Sequence, residues 1–83
     1  MIEMKIQEGI IKALERVYIY IDINEANDID IMDYIGDSLQ FMTFVVALED
    51  IFSIEFPPEL LLVENFDDIN NIHSIISGLV NIG

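Results

Sequence analysis

The chain has 83 residues, 53% of them hydrophobic, and carries a formal net charge of −13. This length builds one domain with a modest core but no deep substrate cavity beside it, which argues against an enzyme. The apolar content argues against disorder, which so high a charge would otherwise suggest. No Lys or Arg occurs from residue 17 onward, and phosphate backbones are bound by these residues, so direct binding of nucleic acid is disfavoured. Any partner of this acidic part should itself be basic.

Several absences set the predicted location and chemistry. No apolar run reaches the roughly 20 residues of a membrane span, and Glu3 beside Lys5 does not fit a secretory signal. We therefore expect a cytoplasmic monomer that forms a single domain over residues 1–83 and binds no membrane. The chain has no cysteine, so it has no disulfide, no thiolate metal ligand and no thiol nucleophile of its own.

Apolar residues at steps of three or four predict a first helix of about five turns. These residues are Ile2, Ile6, Ile10, Leu14, Val17 and Ile21. From residue 22 to residue 36 the pattern gives way to Asn, Asp and isolated apolar residues. This change indicates a long loop, held to the core by Ile29, Ile31 or Ile35. Loops of this length in small domains are often functional.

The second helix, over residues 39–52, has a clear start signal. Asp37 followed three residues later by Gln40 fits a capping box, which stabilises a helix N-terminus by about 1 kcal/mol. The face predicted to lie in the core consists of Phe41, Phe44, Val45, Leu48 and Phe52. A second apolar stripe consists of Leu39, Met42 and Val46. One small core can hardly bury both faces, so we interpret the second stripe as a surface for a partner.

Two further helices complete the prediction. Pro57 and Pro58 stop any extension of the second helix and can open a short third helix through Val63, since Pro is tolerated in a first turn. The last helix has Asp67 or Asp68 near its positive end. Its apolar face consists of Ile69, Ile72, Ile75, Ile76 and Leu79. The predicted fold is all-α: a small four-helix bundle with a long first loop and a short third helix.

Ser38, in the stretch Gly36-Asp37-Ser38-Leu39, is the candidate functional residue and has three interpretations. It can simply occupy a helix N-terminus, where Ser and Asp are common. The same four letters name the GDSL esterases and lipases, whose nucleophile follows a strand and whose His lies three residues after an Asp. Here Asn70 precedes His73 at that distance, and no strand is predicted before Ser38. Catalysis is therefore disfavoured.

The third interpretation comes from a resemblance that covers most of the chain. Asp37-Ser38-Leu39, followed by the uninterrupted run from Val46 to Pro57, is similar to the acyl carrier protein family. The spacing is that between the family's Asp-Ser-Leu motif and its Phe-x-Ile-x-Ile-Pro segment. The resemblance implies that a phosphopantetheinyl transferase attaches 4′-phosphopantetheine to Ser38, and that the thiol of this arm carries acyl or aminoacyl groups as thioesters. It also implies a role for Asp37 in transferase recognition or metal positioning, and it includes Leu39 in the attachment motif.

The resemblance implies partners as well as a cofactor. They are the transferase and the acyl- or aminoacyl-loading and elongating enzymes, which would carry basic docking patches. Their Lys and Arg residues should be attracted by Glu49, Asp50 and Glu55, while the second apolar stripe supplies the short-range contact. On this interpretation the chain shuttles cargo between enzymes and is not a catalyst. The non-carrier alternative is a small acidic adaptor that binds a basic partner through the second helix, with Ser38 unmodified.

Departures from the family pattern bear on the branch of the family. Gln40 and Thr43 stand where many fatty-acid carriers have acidic residues. The segment from Pro58 to Phe66 looks more like that of stand-alone aminoacyl or peptidyl carriers. We therefore expect a specialised carrier in fatty acid, polyketide or nonribosomal peptide biosynthesis, with a cargo that the sequence does not identify.

The remaining polar residues predict no metal site. An acidic run of Asp28, Asp30, Asp33 and Asp37 resembles a calcium loop at first sight. The EF-hand order, however, needs a third carboxylate or amide at the next alternate position, then Gly and a distant Glu, and Met32 occupies that third position. His73 has no second ligand in view, so we expect it to be solvated on the last helix.

Overall fold

The computed structural model of the protein describes residues 6–22 and 30–82, without the side chains of Val63, Asn81 and Ile82. Its three α-helices are α1 (Ile6–Glu15), α2 (Ser38–Phe52) and α3 (Ile69–Ile82). Three single 3₁₀ turns lie at Ile31–Asp33, Pro58–Leu60 and Val63–Asn65. No strand occurs in the described part of the chain. The all-α class is confirmed, whereas the prediction of four helices is wrong.

The segment predicted as a short third helix forms two separate 3₁₀ turns. The first follows Pro57, whose carbonyl accepts a hydrogen bond from the Leu60 N–H at 2.9 Å. Leu61 then leaves helical geometry, with φ −85° and ψ 56°, so the turn cannot continue. The Asn65 side chain donates to the Leu60 carbonyl at 3.1 Å and ties the second turn to the first. Proline opened the segment as expected, but the backbone at Leu61 prevents an α-helix.

Helix α1 ends earlier than its apolar stripe predicts. The chain turns after Glu15 in a Schellman motif, with the Ile19 N–H bonded to the Leu14 carbonyl and the Tyr18 N–H bonded to the Glu15 carbonyl, both at 3.0 Å. Tyr18 takes the left-handed conformation, with φ 65°, that such a motif requires. Val17 is still buried, but as part of the turn and not of the helix. The predicted start at Ile2 lies outside the described residues.

Helix α1 packs against both α2 and α3. Gly9 allows its close approach to α2, because a Cβ atom at this position would overlap the ring of Phe52. Phe52 itself is half-buried, not fully buried as its place on the predicted core face implies. The glycine that weakens α1 as a helix is therefore explained by the packing of that ring.

The core has an aromatic centre at Phe66, between the last 3₁₀ turn and α3. Its ring meets the rings of Phe41, Phe44 and Phe56 edge to face, at centroid distances of 5.2, 6.5 and 5.4 Å. Such pairs stabilise a fold by about 0.5 to 1.5 kcal/mol beyond their buried area. Further buried side chains come from each helix and from the loop before α2, including Ile10, Leu14, Ile31, Ile35, Val45, Leu48, Ile69, Ile72 and Ile76.

The predicted apolar face of α3 is confirmed in part. Ile69, Ile72 and Ile76 are buried, while Ile75 and Leu79 are half-buried against the core. The start of α3 is capped by Asp68, whose carboxylate accepts a hydrogen bond from the Asn70 N–H at 2.7 Å. Of the two aspartates proposed for this end, Asp68 makes the capping bond.

None of the helices within residues 6–22 and 30–82 combines the length and the apolar character that a membrane span requires. The single-domain organisation over residues 1–83 and the cytoplasmic location stay predictions.

Candidate functional site

Ser38 is the first residue of α2, and its side chain is exposed. Asp37 precedes it in an extended conformation, and the Asp37 carboxylate accepts a hydrogen bond from the Gln40 N–H at 2.8 Å. The predicted N-cap at Asp37 is confirmed. Because Asp37 makes the capping bond, the hydroxyl of Ser38 is not needed as a cap, and it lies at the surface at the start of the helix.

The side chain of Gln40 departs from the expected capping box. Its Oε1 accepts from the N–H of Gly36 at 2.7 Å, one residue before the cap, and its Nε2 donates to the carbonyl of Val17 at 3.1 Å. Gln40 therefore links the residues before Ser38 to the turn that ends α1. The motif spacing predicts that Gln40 folds back toward the cap, but no sequence signal indicates the contact with Val17, which lies 23 residues away.

The loop that leads to Ser38 is tied to the body of the protein. The Ile31 N–H donates to the Asp67 carbonyl at 2.8 Å, and the side chains of Ile31 and Ile35 are buried. Asp30 caps the 3₁₀ turn of this loop by accepting from the Met32 N–H at 2.9 Å. The prediction that Ile31 or Ile35 anchors the loop is confirmed, and Ile29 lies outside the described residues.

Two shallow grooves flank the start of α2. One contains Ser38 and has apolar walls from Met32, Ile35 and Phe41. The other lies between the turn after α1 and the first residues of α2, and its walls include Tyr18, Leu39 and Thr43. Tyr18 and Leu39 are 84% and 77% exposed, so this groove has two large uncovered side chains at its edges. Tyr18 carries no sequence signal for this role, because the usual glycine of a Schellman motif is absent there.

The two apolar stripes of α2 have different environments. Phe44 and Leu48 are fully buried, whereas Leu39, Met42 and Val46 are 77%, 44% and 57% exposed. The expectation that one small core cannot bury both stripes is confirmed. The docking role of the exposed stripe stays a prediction.

The three acids assigned to partner docking also differ from one another. The Glu49 carboxylate accepts from the Phe56 N–H at 2.9 Å, and the Asp50 carboxylate pairs with the Arg16 guanidinium at 2.9 Å. Glu55 is exposed. Glu49 therefore also has a structural role, which the sequence pattern does not predict. The Arg16–Asp50 pair is not predictable either, because residues 34 positions apart carry no local signal.

The other candidate chemistries gain no support from the described residues. They contain no cluster of three or more His, Cys, Asp and Glu side chains that could hold a metal ion. Of the suspected calcium loop, Asp30 and Asp37 cap helical turns, and Asp28 lies outside the described residues. His73 is exposed on α3, as expected, and Ser38 follows a loop and not a strand.

The residues around Ser38 fit a covalent phosphodiester. An exposed hydroxyl is free to be esterified, and the first turn of a helix has N–H groups and a positive dipole end that favour an added negative charge. The carboxylate of Asp37 opposes that charge, but it is held by the N–H of Gln40. The arrangement is that of a side chain that a partner enzyme can modify.

Comparison with known families agrees with this geometry. The model of the family described as "Phosphopantetheine attachment site" matches residues 9–76, which is most of the chain and includes α2 from end to end. Comparisons with curated proteins and with solved structures gave no match.

The family match decides among the interpretations of the sequence. It favours the carrier over the esterase and over the unmodified adaptor, and it implies 4′-phosphopantetheine as the prosthetic group. The chain is not a catalyst; a phosphopantetheinyl transferase modifies it, and loading and processing enzymes act on what it carries. The protein belongs to the phosphopantetheine attachment site family, as a carrier domain that bears thioester intermediates on a phosphopantetheine arm.

Proposed function

We propose that Ser38 is the residue to which the arm is attached, as the Asp37-Ser38-Leu39 motif implies. The observation that carries the proposal is the position of its exposed hydroxyl at the first residue of α2. The other serines have different settings. Ser53 lies in the left-handed turn after α2, and Ser74 and Ser77 lie within α3.

In the proposed reaction the Ser38 oxygen bonds to the phosphorus of the phosphopantetheine portion of coenzyme A. The bond from that phosphorus to adenosine bisphosphate breaks, and the hydroxyl proton passes to a base of the transferase. Asp37 fixes the first turn of α2 during this step through its bond to the Gln40 N–H. When bound, the arm supplies the thiol that the cysteine-free chain lacks. Tethering holds the cargo near a docked enzyme at an effective concentration of about millimolar.

We propose further that partners dock on the exposed side of α2. Leu39, Met42 and Val46 supply an apolar patch beside Ser38, and apolar surface left uncovered in this way is typical of an interaction site. Glu49, Asp50 and Glu55 supply negative potential toward the other end of the helix. Asp50 still contributes although it is paired with Arg16, because its side chain is 69% exposed. A basic partner would be steered by these charges and held by the apolar patch.

The branch of the family remains part of the proposal. Gln40 and Thr43 make the start of α2 less acidic than in many fatty-acid carriers, and Gln40 is also bonded within the protein. This supports a specialised carrier of acyl or aminoacyl groups, with partners that do not depend on acidic side chains at these two positions.

The decisive test is an intact mass after incubation with coenzyme A, magnesium and a broad-specificity phosphopantetheinyl transferase. The wild type should gain one phosphopantetheine, and Ser38→Ala should gain none while keeping its helical circular dichroism. Ser74→Ala is the matched control, because it removes another exposed hydroxyl from a helix, and it should be modified like the wild type. An unchanged mass with several transferases, or a label on a different serine, would contradict the assignment.

A further inference from the structure

We propose that Gln40 is a positioning residue for the modification of Ser38. Its side chain holds the residues before Ser38 against the end of α1, and so fixes where the hydroxyl lies relative to the rest of the docking surface. The inference rests on the proposed attachment at Ser38. The spacing of Gln40 from Asp37 fits an N-terminal capping box, but its side chain contacts Gly36 and Val17 instead of the Asp37 backbone.

The side-chain carboxamide of Gln40 accepts one hydrogen bond and donates another. The Gln40 Oε1 accepts from the Gly36 N–H at 2.7 Å, and the Gln40 Nε2 donates to the Val17 carbonyl at 3.1 Å. The backbone partners fix the orientation of the amide, because turning it over would place oxygen against oxygen and nitrogen against nitrogen. A carboxylate could accept from Gly36 but could not donate to Val17. Only a carboxamide at this position satisfies both contacts.

Hydrogen bonds from Gln40 reach the two residues on the other side of Ser38, which bears the candidate hydroxyl. The backbone N–H of Gln40 is bonded to the Asp37 carboxylate, and its side chain is bonded to Gly36. Gln40, which follows Ser38 in the chain, is thus hydrogen-bonded to both residues that precede Ser38. The local turn is closed from Gly36 to Gln40, with the hydroxyl of Ser38 left exposed on it.

The third contact connects this closed turn to a buried residue at the end of α1. Val17 is 6% exposed and lies inside the Schellman motif that ends α1. The neighbouring Tyr18 and Leu39 form the edges of the groove at the start of α2. The contact between Gln40 and Val17 therefore sets the position of Ser38, at the start of α2, relative to Tyr18. A transferase that contacts this groove would find the hydroxyl in a fixed place.

A neutral side chain suits this position for an electrostatic reason. A carboxylate in place of the carboxamide would approach the negative end of the Val17 carbonyl dipole. It would also add a negative charge in the first turn that receives the phosphodiester, beside the charge already present on Asp37. Gln40 therefore supplies the contact with α1 without the repulsion.

The test compares Gln40→Met, which has nearly the same shape and forms neither bond, with Gln40→Glu, which keeps the acceptor and loses the donor. Asn65→Leu is the matched control, since Asn65 is also a partly buried carboxamide that donates to a backbone carbonyl at 3.1 Å. The first measurement is amide hydrogen exchange of Gly36 by NMR on the unmodified proteins. The second is the rate of phosphopantetheine transfer to Ser38, resolved into kcat and KM, at a temperature at which every variant is folded and at high salt, which screens the added charge.

In Gln40→Met we expect Gly36 exchange to be faster by roughly 3- to 10-fold, as the loss of its one hydrogen bond would give, and kcat to be lower by at least a similar factor. KM should change little, because the docking surface is intact. In Gln40→Glu, Gly36 should stay protected while kcat falls to an intermediate value, since only the contact with Val17 is lost. Asn65→Leu should match the wild type in both measurements.

Wild-type kcat in Gln40→Met, or in Gln40→Glu at high salt, would overturn the positioning role and leave Gln40 with a structural role alone. Equal exchange of Gly36 in the wild type and in Gln40→Met would also overturn it. If Gln40→Met does not fold, the kcat of Gln40→Glu at high salt decides alone: a wild-type value overturns the role, and a lowered value supports it. Failure of the wild type to be modified at Ser38 would instead contradict the proposed attachment, so the two failures are distinguishable.

Discussion

The two sides of α2 have similar composition and opposite environments. Both are apolar, yet Phe44 and Leu48 are completely buried whereas Leu39 and Val46 are more than half exposed. The buried side packs into the core around Phe66, and the exposed side begins beside Ser38. Hydrophobicity alone does not separate the side that holds the fold from the side available to a partner; the packing of α1 and α3 does.

The acidic residues near the end of α2 show the same division. Glu49 is bonded to the backbone of Phe56, whose ring packs on Phe66, while Glu55 is exposed. A carboxylate in this region can therefore serve the fold or the surface. The difference is measurable, because removal of a structural residue lowers stability and removal of a docking residue lowers the rate of modification.

The largest expected effect comes from truncating the buried side of α2, with the exposed side as the comparison. Phe44→Ala or Leu48→Ala should lower the free energy of unfolding by about 2 to 5 kcal/mol, because each leaves a cavity in a packed core. Met42→Ala and Val46→Ala should change it by less than about 1 kcal/mol, because exposed positions lose little packing. Denaturant unfolding followed by circular dichroism measures both.

The same four variants test docking. Met42→Ala and Val46→Ala should reduce the rate at which the transferase modifies Ser38, although both proteins stay folded. If they unfold as readily as Phe44→Ala, the exposed side belongs to the core and the proposed docking surface is wrong. If they are stable and modified at the wild-type rate, the surface is free but this transferase does not use it.

The next effect separates the acids. Glu49→Ala should destabilise the fold by about 1 to 3 kcal/mol, because it leaves the N–H of Phe56 without its charged acceptor. Glu49→Gln should lose less, since its amide oxygen can still accept. Glu55→Ala should be within about 0.5 kcal/mol of the wild type. Equal stability of Glu49→Ala and Glu55→Ala in thermal melts would show that the bond to Phe56 contributes nothing.

The sequence predicts the parts of this site that depend on local rules. Asp37 as N-cap, the buried face of α2 and the uncovered stripe all follow from spacing within one helix. The end of α1 does not, because Tyr18 occupies a left-handed position that glycine usually takes. The prediction for the segment after Pro57 is wrong for a similar reason, since the backbone of Leu61 ends the turn without a glycine to signal it.

Contacts between distant segments were beyond sequence reasoning altogether. The bonds from Gln40 to Val17 and from Arg16 to Asp50 join the end of α1 to α2 across more than twenty residues. Gln40, Arg16 and Asp50 are ordinary surface residue types, and their partners are determined by how the helices pack. The attachment motif was recognisable from the chain, whereas the means by which it is held against α1 required the fold.

A smaller effect is expected at the N-cap, where stability and charge can be separated. Asp37→Ala should destabilise the protein by about 1 kcal/mol, because the Gln40 N–H loses its acceptor. Asp37→Asn should be close to the wild type in stability, since asparagine caps a helix as well as aspartate does. We expect Asp37→Asn nevertheless to be modified more slowly, because the transferase loses a charge to recognise. A wild-type rate for Asp37→Asn would limit Asp37 to capping.

The smallest effect concerns the ion pair between Arg16 and Asp50, which joins the turn after α1 to α2. Exposed pairs contribute at most about 1 kcal/mol, so both Arg16→Met and Asp50→Asn should lie within that range of the wild type. The two should still differ, because the chain has a net charge of −13. Arg16→Met removes a base and increases the repulsion among carboxylates, whereas Asp50→Asn loses the same pair but relieves the repulsion. Arg16→Met should therefore melt at the lower temperature, and added salt should reduce the difference. Equal melting temperatures at low salt would mean that the pair alone matters and that the excess of negative charge does not strain the fold.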